Sequence, residues 1–232
     1  MLNIKRGFLL LSFMSLVNHT LIGQANEVGS WIVYFGNQKI NNNWNILSDF
    51  QYRDFRFFGQ RNQIIARAGI GYNLQPQNHN LLFGYAYVAT DNYDEFNLFT
   101  ATKTENRIYQ QYLYRNKLGS NALTHRFRLE ERFFPNEFGL RARYFISVQK
   151  PLYKKNVAKN RTYLSAYNEL FMNLNGVQFD RNRLYGGLGY GLNESLRIET
   201  GYMIQAQKNI TRGQLQLILY NNFPFKIKQH KT

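Results

Sequence analysis

The chain contains no cysteine, so an exported form of it would have no disulfide support and would rely on packing or on a closed hydrogen-bonded sheet. Beyond residue 24 it has no apolar run approaching the roughly 20 residues of a transmembrane helix, which excludes a helical membrane domain. No segment past that point carries a helical period, and the mean hydropathy of -0.47 is that of a water-soluble protein. Histidine is scarce: beyond the first 24 residues there are His79, His125 and His230. Aromatic residues, by contrast, make up 16% of the chain, with 19 Phe and 17 Tyr. That is high for a soluble domain of this polarity.

What is present is a two-residue alternation, recurring from about Trp44 to Phe225. In His125-Arg126-Phe127-Arg128-Leu129-Glu130-Glu131-Arg132-Phe133, one parity carries Arg126, Arg128, Glu130 and Arg132, and the other Phe127, Leu129 and Phe133. Side chains of a strand point alternately to opposite faces, so such a segment has one charged and one apolar face. A soluble sandwich or lipocalin-like binder buries the apolar face. A membrane barrel turns it to lipid and the charged face to the lumen, which reconciles low mean hydropathy with abundant aromatics.

The start of the chain favours export. Lys5 and Arg6 precede an apolar run from Phe8 to Val17, and Gly23 stands before Gln24. This is the order of a cleaved secretory signal, with an apolar run too short to span a membrane. The expected organisation is a signal peptide at 1–23, a barrel at 24–225 and a basic tail at 226–232. The formal charge of +15 is spread along the strands among glutamates rather than gathered into one patch, which argues against nucleic acid as a partner.

Eleven strand-like runs can be counted, at 28–36, 43–55, 61–74, 80–90, 102–116, 121–134, 138–150, 160–173, 180–192, 195–208 and 212–223. Most run about 10 to 14 residues, a length suited to a tilted spanning strand. Turn chemistry separates them at Asn41-Asn42-Asn43, Gln75-Pro76-Gln77-Asn78, Gly119-Ser120-Asn121 and Leu192-Asn193-Glu194-Ser195. Bacterial single-chain barrels have even strand counts and both termini in the periplasm. The expectation is therefore an all-β, antiparallel up-and-down transmembrane barrel of 10 or 12 strands. The first and fourth runs have faces that differ little. Gln110, Glu131 and Asn168 fall on the apolar parity and are expected near an interface or at a bulge.

The chain resembles the bacterial outer-membrane barrel family catalogued as domain of unknown function 2490. The likeness rests on Trp31, on the 125–133 segment, then on Arg141-Ala142-Arg143-Tyr144, Tyr167-Asn168-Glu169-Leu170-Phe171, Asn182-Arg183-Leu184-Tyr185 and Gly201-Tyr202. The resemblance implies a bacterial outer-membrane location, with membrane lipid, lipopolysaccharide and the barrel-assembly machinery as partners. It implies no assigned activity. An outer-membrane barrel usually stops at a terminal aromatic, whereas here Phe225 is followed by a basic tail.

The candidate site is the charged parity itself: Arg107, Arg126, Arg128, Glu130, Arg132, Arg141, Arg143, Glu169, Arg183, Arg197 and Glu199, with Glu105 beside them. Their guanidinium groups are expected to face one another or to reach Glu105, Glu130, Glu169 and Glu199. Such a network either closes a narrow lumen as a structural lattice or forms a constriction that favours small anions. An outer-membrane lipase or deacylase is the alternative, but no Ser lies two residues from His125 on its face, although Thr124 adjoins it. Asp91, Asp94 and Glu95 have no calcium-loop spacing, and the glycine-rich run 186–191 has no following helix to make it a phosphate loop. No cofactor and no metal are expected.

Overall fold

A computed structural model describes residues 28–75, 78–152 and 161–225. The expected signal peptide and basic tail lie outside the described residues. Eleven strands follow one another: β1 (Gly29–Lys39), β2 (Trp44–Asp54), β3 (Arg61–Leu74), β4 (His79–Tyr93), β5 (Phe99–Leu118), β6 (Asn121–Phe133), β7 (Phe138–Pro151), β8 (Thr162–Asn173), β9 (Phe179–Gly191), β10 (Leu196–Gln207) and β11 (Thr211–Asn221). No helix occurs among the described residues. Each strand pairs antiparallel with the next, and β1 pairs with β11 to close the barrel.

The strand count corrects the expectation of 10 or 12. All eleven runs are strands, and an odd number of alternating strands can close only if one neighbouring pair runs parallel. That pair is β1 with β11, in register from Gly29 opposite Gln214 to Gly36 opposite Asn221. The barrel is thus not wholly antiparallel, and Gly29 and Asn221 lie at its opposite ends. The segment after β11 is tied down, with Asn222 N–H donating to the Ser195 carbonyl at 2.7 Å and Phe225 N–H to that of Lys39 at 3.0 Å.

The alternation sorts side chains as the sequence indicates. The charged parity lies inside: Asp49, Arg107, Arg128, Glu130, Arg141, Arg143, Glu169, Arg183 and Glu199 are all buried. The apolar parity forms the outer wall, where Ile70, Leu184, Leu188, Leu215 and Leu217 are exposed. The first and fourth runs have two similar faces because both sides are apolar. Trp31 and Val33 of β1 join Tyr185, Met203 and Ile218 in one interior cluster, and Leu82 and Ala86 of β4 join Tyr109 in another.

Three outward polar residues are handled locally. Glu131 is two places from the end of β6, and Gln110 Nε2 donates to its Oε1 at 3.3 Å. Asn168 is in mid-strand, neither at a strand end nor at the bulge between Phe171 and Met172. It meets its needs sideways instead. Its amide donates to Asn182 Oδ1 at 2.9 Å and accepts from Asn182 Nδ2 at 3.2 Å, so the two outward amides satisfy each other.

The glycine run 186–191 belongs to β9. A Cβ at Gly189 would enter the ring of Tyr163, and one at Gly187 would meet the Tyr185 hydroxyl. These glycines leave room for buried tyrosines inside a narrow barrel. Gly189→Val should therefore cost about 1–3 kcal/mol, as overpacking does. Gly186→Ala, where a Cβ meets nothing within 4 Å, should leave stability unchanged. The urea midpoint of each refolded variant checks both.

Candidate functional site

The interior face of β5 to β9 carries a continuous arginine and carboxylate lattice. Register alone would place like charges opposite each other, Arg107 across from Arg132 and Arg128 across from Arg143. Like charges directly opposite destabilise a sheet, so the carboxylates one step along each strand decide whether the face can form. Glu130, directly across from Arg141, is the centre. Arg141 donates to it from Nε at 3.1 Å and from Nη2 at 2.5 Å. Arg143 Nη1 also donates to it, while Arg128 and Arg107 stand at 3.5 Å and 3.9 Å.

Three further carboxylates extend the lattice around Glu130. Arg143 Nη2 reaches Glu169 at 2.5 Å, so this one guanidinium bridges Glu130 and Glu169. Glu169 also takes Arg126 at 2.7 Å and lies 3.7 Å from Arg183. Glu105 holds Arg107 at 2.7 Å and Arg132 at 2.6 Å. Asp180 takes Arg141 at 2.9 Å and Arg181 at 3.0 Å. Eight arginines (107, 126, 128, 132, 141, 143, 181 and 183) thus share four carboxylates (105, 130, 169 and 180). Most of these side chains are nearly or fully buried, where charge-assisted bonds are strong but an unpaired charge is costly.

Aromatic rings take up part of the surplus positive charge. Phe171 is surrounded by the guanidiniums of Arg143, Arg183, Arg141 and Arg181, at 4.4, 4.6, 5.3 and 5.8 Å from its centroid. Arg53 lies 3.7 Å over Trp31 and Arg128 lies 4.4 Å over Tyr109. Cations over ring faces are favourable, more so when desolvated.

Of the eleven residues assigned to the site, nine enter this lattice and two do not. Glu199 is buried but reaches no arginine of it. Its carboxylate lies among Tyr163, Tyr185 and Tyr220, because the glycines of β9 and β10 let those rings occupy the space between. Arg197 approaches Gln149 at 3.5 Å and lies 4.5 Å over the Tyr220 ring. Arg53, Asp180, Arg181 and Phe171 were missed. Arg53 shares the parity of Asp49 and Gln51 and could have been found by extending that strand. Phe171 shares the inward parity of Glu169, and the register sets Arg143 of β7 and Arg181 of β9 directly across from it; it was missed because the inward set was read for charged and amide side chains and not for rings.

Two interior cavities flank the lattice. One, of about 260 Å³, is lined by nine arginine and lysine side chains and by the single carboxylate Glu105. The other, of about 510 Å³, lies toward the end that carries Asn37, Gln149 and Asn222. Arg53, Arg67, Arg143 and Arg183 line both. These four form the waist between the cavities.

The other readings find little geometry. His125 Nδ1 bonds the Tyr144 hydroxyl at 2.9 Å on the outer wall, and its cross-strand neighbours are Tyr114 and Ile146 rather than a serine. His79 opens β4 and bonds the Tyr112 hydroxyl at 2.6 Å. Asp91 lies within β4 and is held by Arg61 and Thr102, while Asp94 caps its own loop through the N–H groups of Phe96 and Leu98. His230 lies outside the described residues.

Among known proteins, a family model described as protein of unknown function (DUF2490) matches residues 28–216. Neither a curated protein nor a solved structure matches.

Removing the shared carboxylate should be far more damaging than removing a peripheral one. Glu130→Gln leaves four guanidiniums facing an amide, and a broken buried ion network costs about 3–5 kcal/mol. Asp91→Asn, at a carboxylate that is itself buried, can keep its Thr102 partner and leaves Arg61, 44% exposed, to water, so it should cost less than Glu130→Gln. Equal losses in urea unfolding would show that the lattice is not what the fold depends on.

Proposed function

We propose that this chain, which belongs to the DUF2490 family of proteins of unknown function, is a bacterial outer-membrane β-barrel. It is non-enzymatic, and its basic lumen admits small anions and is held shut at the waist by the arginine and glutamate lattice. The observation that carries this is the direction of the two faces. A soluble barrel turns its apolar parity inward, whereas here the charged parity is inside and leucine, isoleucine and phenylalanine cover the outside. An outer wall this extensively apolar is far beyond the patches that soluble monomers expose, and a hydrocarbon surround satisfies it.

The outer wall also carries interfacial features. At the end with the β1–β2, β3–β4 and β5–β6 turns, rings with polar tips form a belt. Trp44 contacts Tyr72 at 4.9 Å, His79 stacks on Tyr114 at 4.8 Å, Tyr114 on His125 at 5.9 Å and His125 on Tyr144 at 6.3 Å. Phe133 and Phe138, 5.3 Å apart, mark the other end. Tryptophan and tyrosine collect where lipid meets water. Outer-membrane lipid and lipopolysaccharide are then the surrounding partners, the barrel-assembly machinery acts during insertion, and a leader at residues 1–23 directs export.

Anion preference follows from the excess of guanidinium over carboxylate. Rings of fixed positive charge raise the local concentration of anions and exclude cations. In planar bilayers the refolded protein should show little steady conductance. Arg143→Ala combined with Phe171→Ala removes the bridging guanidinium and the ring around which the waist is packed. That variant should give discrete openings that favour chloride over potassium under a salt gradient. Cation-selective openings, or a large conductance already present in the unaltered protein, would overturn the proposal.

A further inference from the structure

The larger cavity has two chemically distinct walls. Along the parallel seam the wall is apolar, formed by Trp31, Val33, Ile218 and Tyr220; Arg197 of β10 stands at its edge, directly across from Tyr220, and Arg126 of β6 lies away from the seam beside Glu169. A lumen built only to pass or exclude inorganic ions gains nothing from a sheltered apolar wall. A purely apolar ligand would leave the Arg197 guanidinium, which no carboxylate among the described residues pairs, against hydrocarbon.

Three donors of side chains that line this cavity find no acceptor in the protein: Nε of Arg126, whose Nη2 pairs with Glu169, Nε of Arg197 and Nε2 of Gln216. Arg197 forms no ion pair among the described residues, and its guanidinium lies against Tyr220, 4.5 Å from the ring centroid, on the border between the two walls. The volume of about 510 Å³ lies within the range of small-molecule sites. Its floor is the arginine waist, so an occupant enters and leaves by the mouth near Asn37 and Asn222.

We infer that this vestibule binds an anion with an apolar body, of the chemical class of a medium-chain alkyl carboxylate, the head on Arg126 and Arg197 and the chain against Trp31, Val33 and Ile218. The inference deepens the anion-admitting lumen proposed above and rests on it. Binding at this depth stops at the waist, so the site holds its ligand and does not conduct it.

The two tryptophans of the chain make the test direct, because Trp31 lines the cavity and Trp44 is on the outer wall. Trp44→Phe protein in phospholipid bilayers, with Trp31 as its sole indole, is titrated with 8-bromooctanoate, whose bromine quenches an indole that it touches. Saturable quenching is expected, with a midpoint at least about tenfold lower than for bromoacetate, since each buried methylene adds affinity. The midpoint should rise at least about tenfold in Arg197→Gln and return in Arg197→Lys, and adding Arg126→Gln should raise it further. Retention of a heat-shifted gel band checks folding, and Arg197→Gln serves alone where the double variant lacks the band.

An equal midpoint for 8-bromooctanol would overturn the role of charge, and an equal midpoint for bromoacetate would overturn the role of the apolar wall. Quenching that rises linearly without saturation would overturn the site as a whole. Each of these leaves the small-anion lumen standing. That broader reading fails separately, if Trp44 in Trp31→Phe protein is not quenched by lipids brominated on their acyl chains.

Discussion

Pairing of Gly29–Gly36 with Gln214–Asn221 is the constraint on which everything else in the molecule depends. A sheet of eleven strands left open here would expose two edges of unpaired N–H and C=O groups, which is costly away from water and invites association in water. Closing it encloses a lumen narrow enough for side chains from opposite walls to meet. Only in that confinement can Arg183 of β9 lie 4.9 Å from the Trp31 ring of β1, or the Tyr167 hydroxyl of β8 reach Gln216 of β11 at 3.4 Å. Without closure the lattice of β5 to β9 would keep its neighbouring-strand pairs but lie solvated on one face of a ribbon.

The interior that results is divided by composition. Around the seam, β1 and β9 to β11 contribute an aromatic and aliphatic cluster, while β5 to β9 contribute the charges. The charges are viable because carboxylates are interleaved among like-charged cross-strand pairs, one step along each strand. The aromatic side is viable because glycines on β9 and β10 stand beside the buried tyrosines. Each half thus relieves the crowding peculiar to it, electrostatic in one case and steric in the other.

Alternation made the strand boundaries and the inward or outward sense of each strand legible, since both depend on neighbours along the chain. Nine of the eleven site residues were legible for the same reason. The strand count was misjudged even though all eleven runs were visible, because a rule drawn from even-numbered barrels was set above the pattern itself. Closure is a relation between the first and last strands, and no local period reports it. Glu199 was misjudged differently. Its parity is right, but which inward residues it meets depends on how Tyr163, Tyr185 and Tyr220 fill the lumen, which is a matter of volume. β1 and β4 looked ambiguous because an apolar patch inside a barrel erases the contrast on which alternation depends.

The parallel seam has a topological consequence for the chain as a whole. The start of β1 and the end of β11 are separated by a strand's length, roughly 30 Å for 11 residues rising about 3.3 Å each and tilted in the wall. Most compact domains bring their ends close enough to be rejoined by a few residues, so that the order of elements can be rotated by cutting elsewhere. Here a linker would have to run the height of the barrel, either through the lumen past the arginines or along the apolar exterior. Segments joined before β1 and after β11 emerge at opposite ends of the barrel. The polypeptide is thus a directed thread with one crossing left over, and the sidedness of the molecule is written into its strand count.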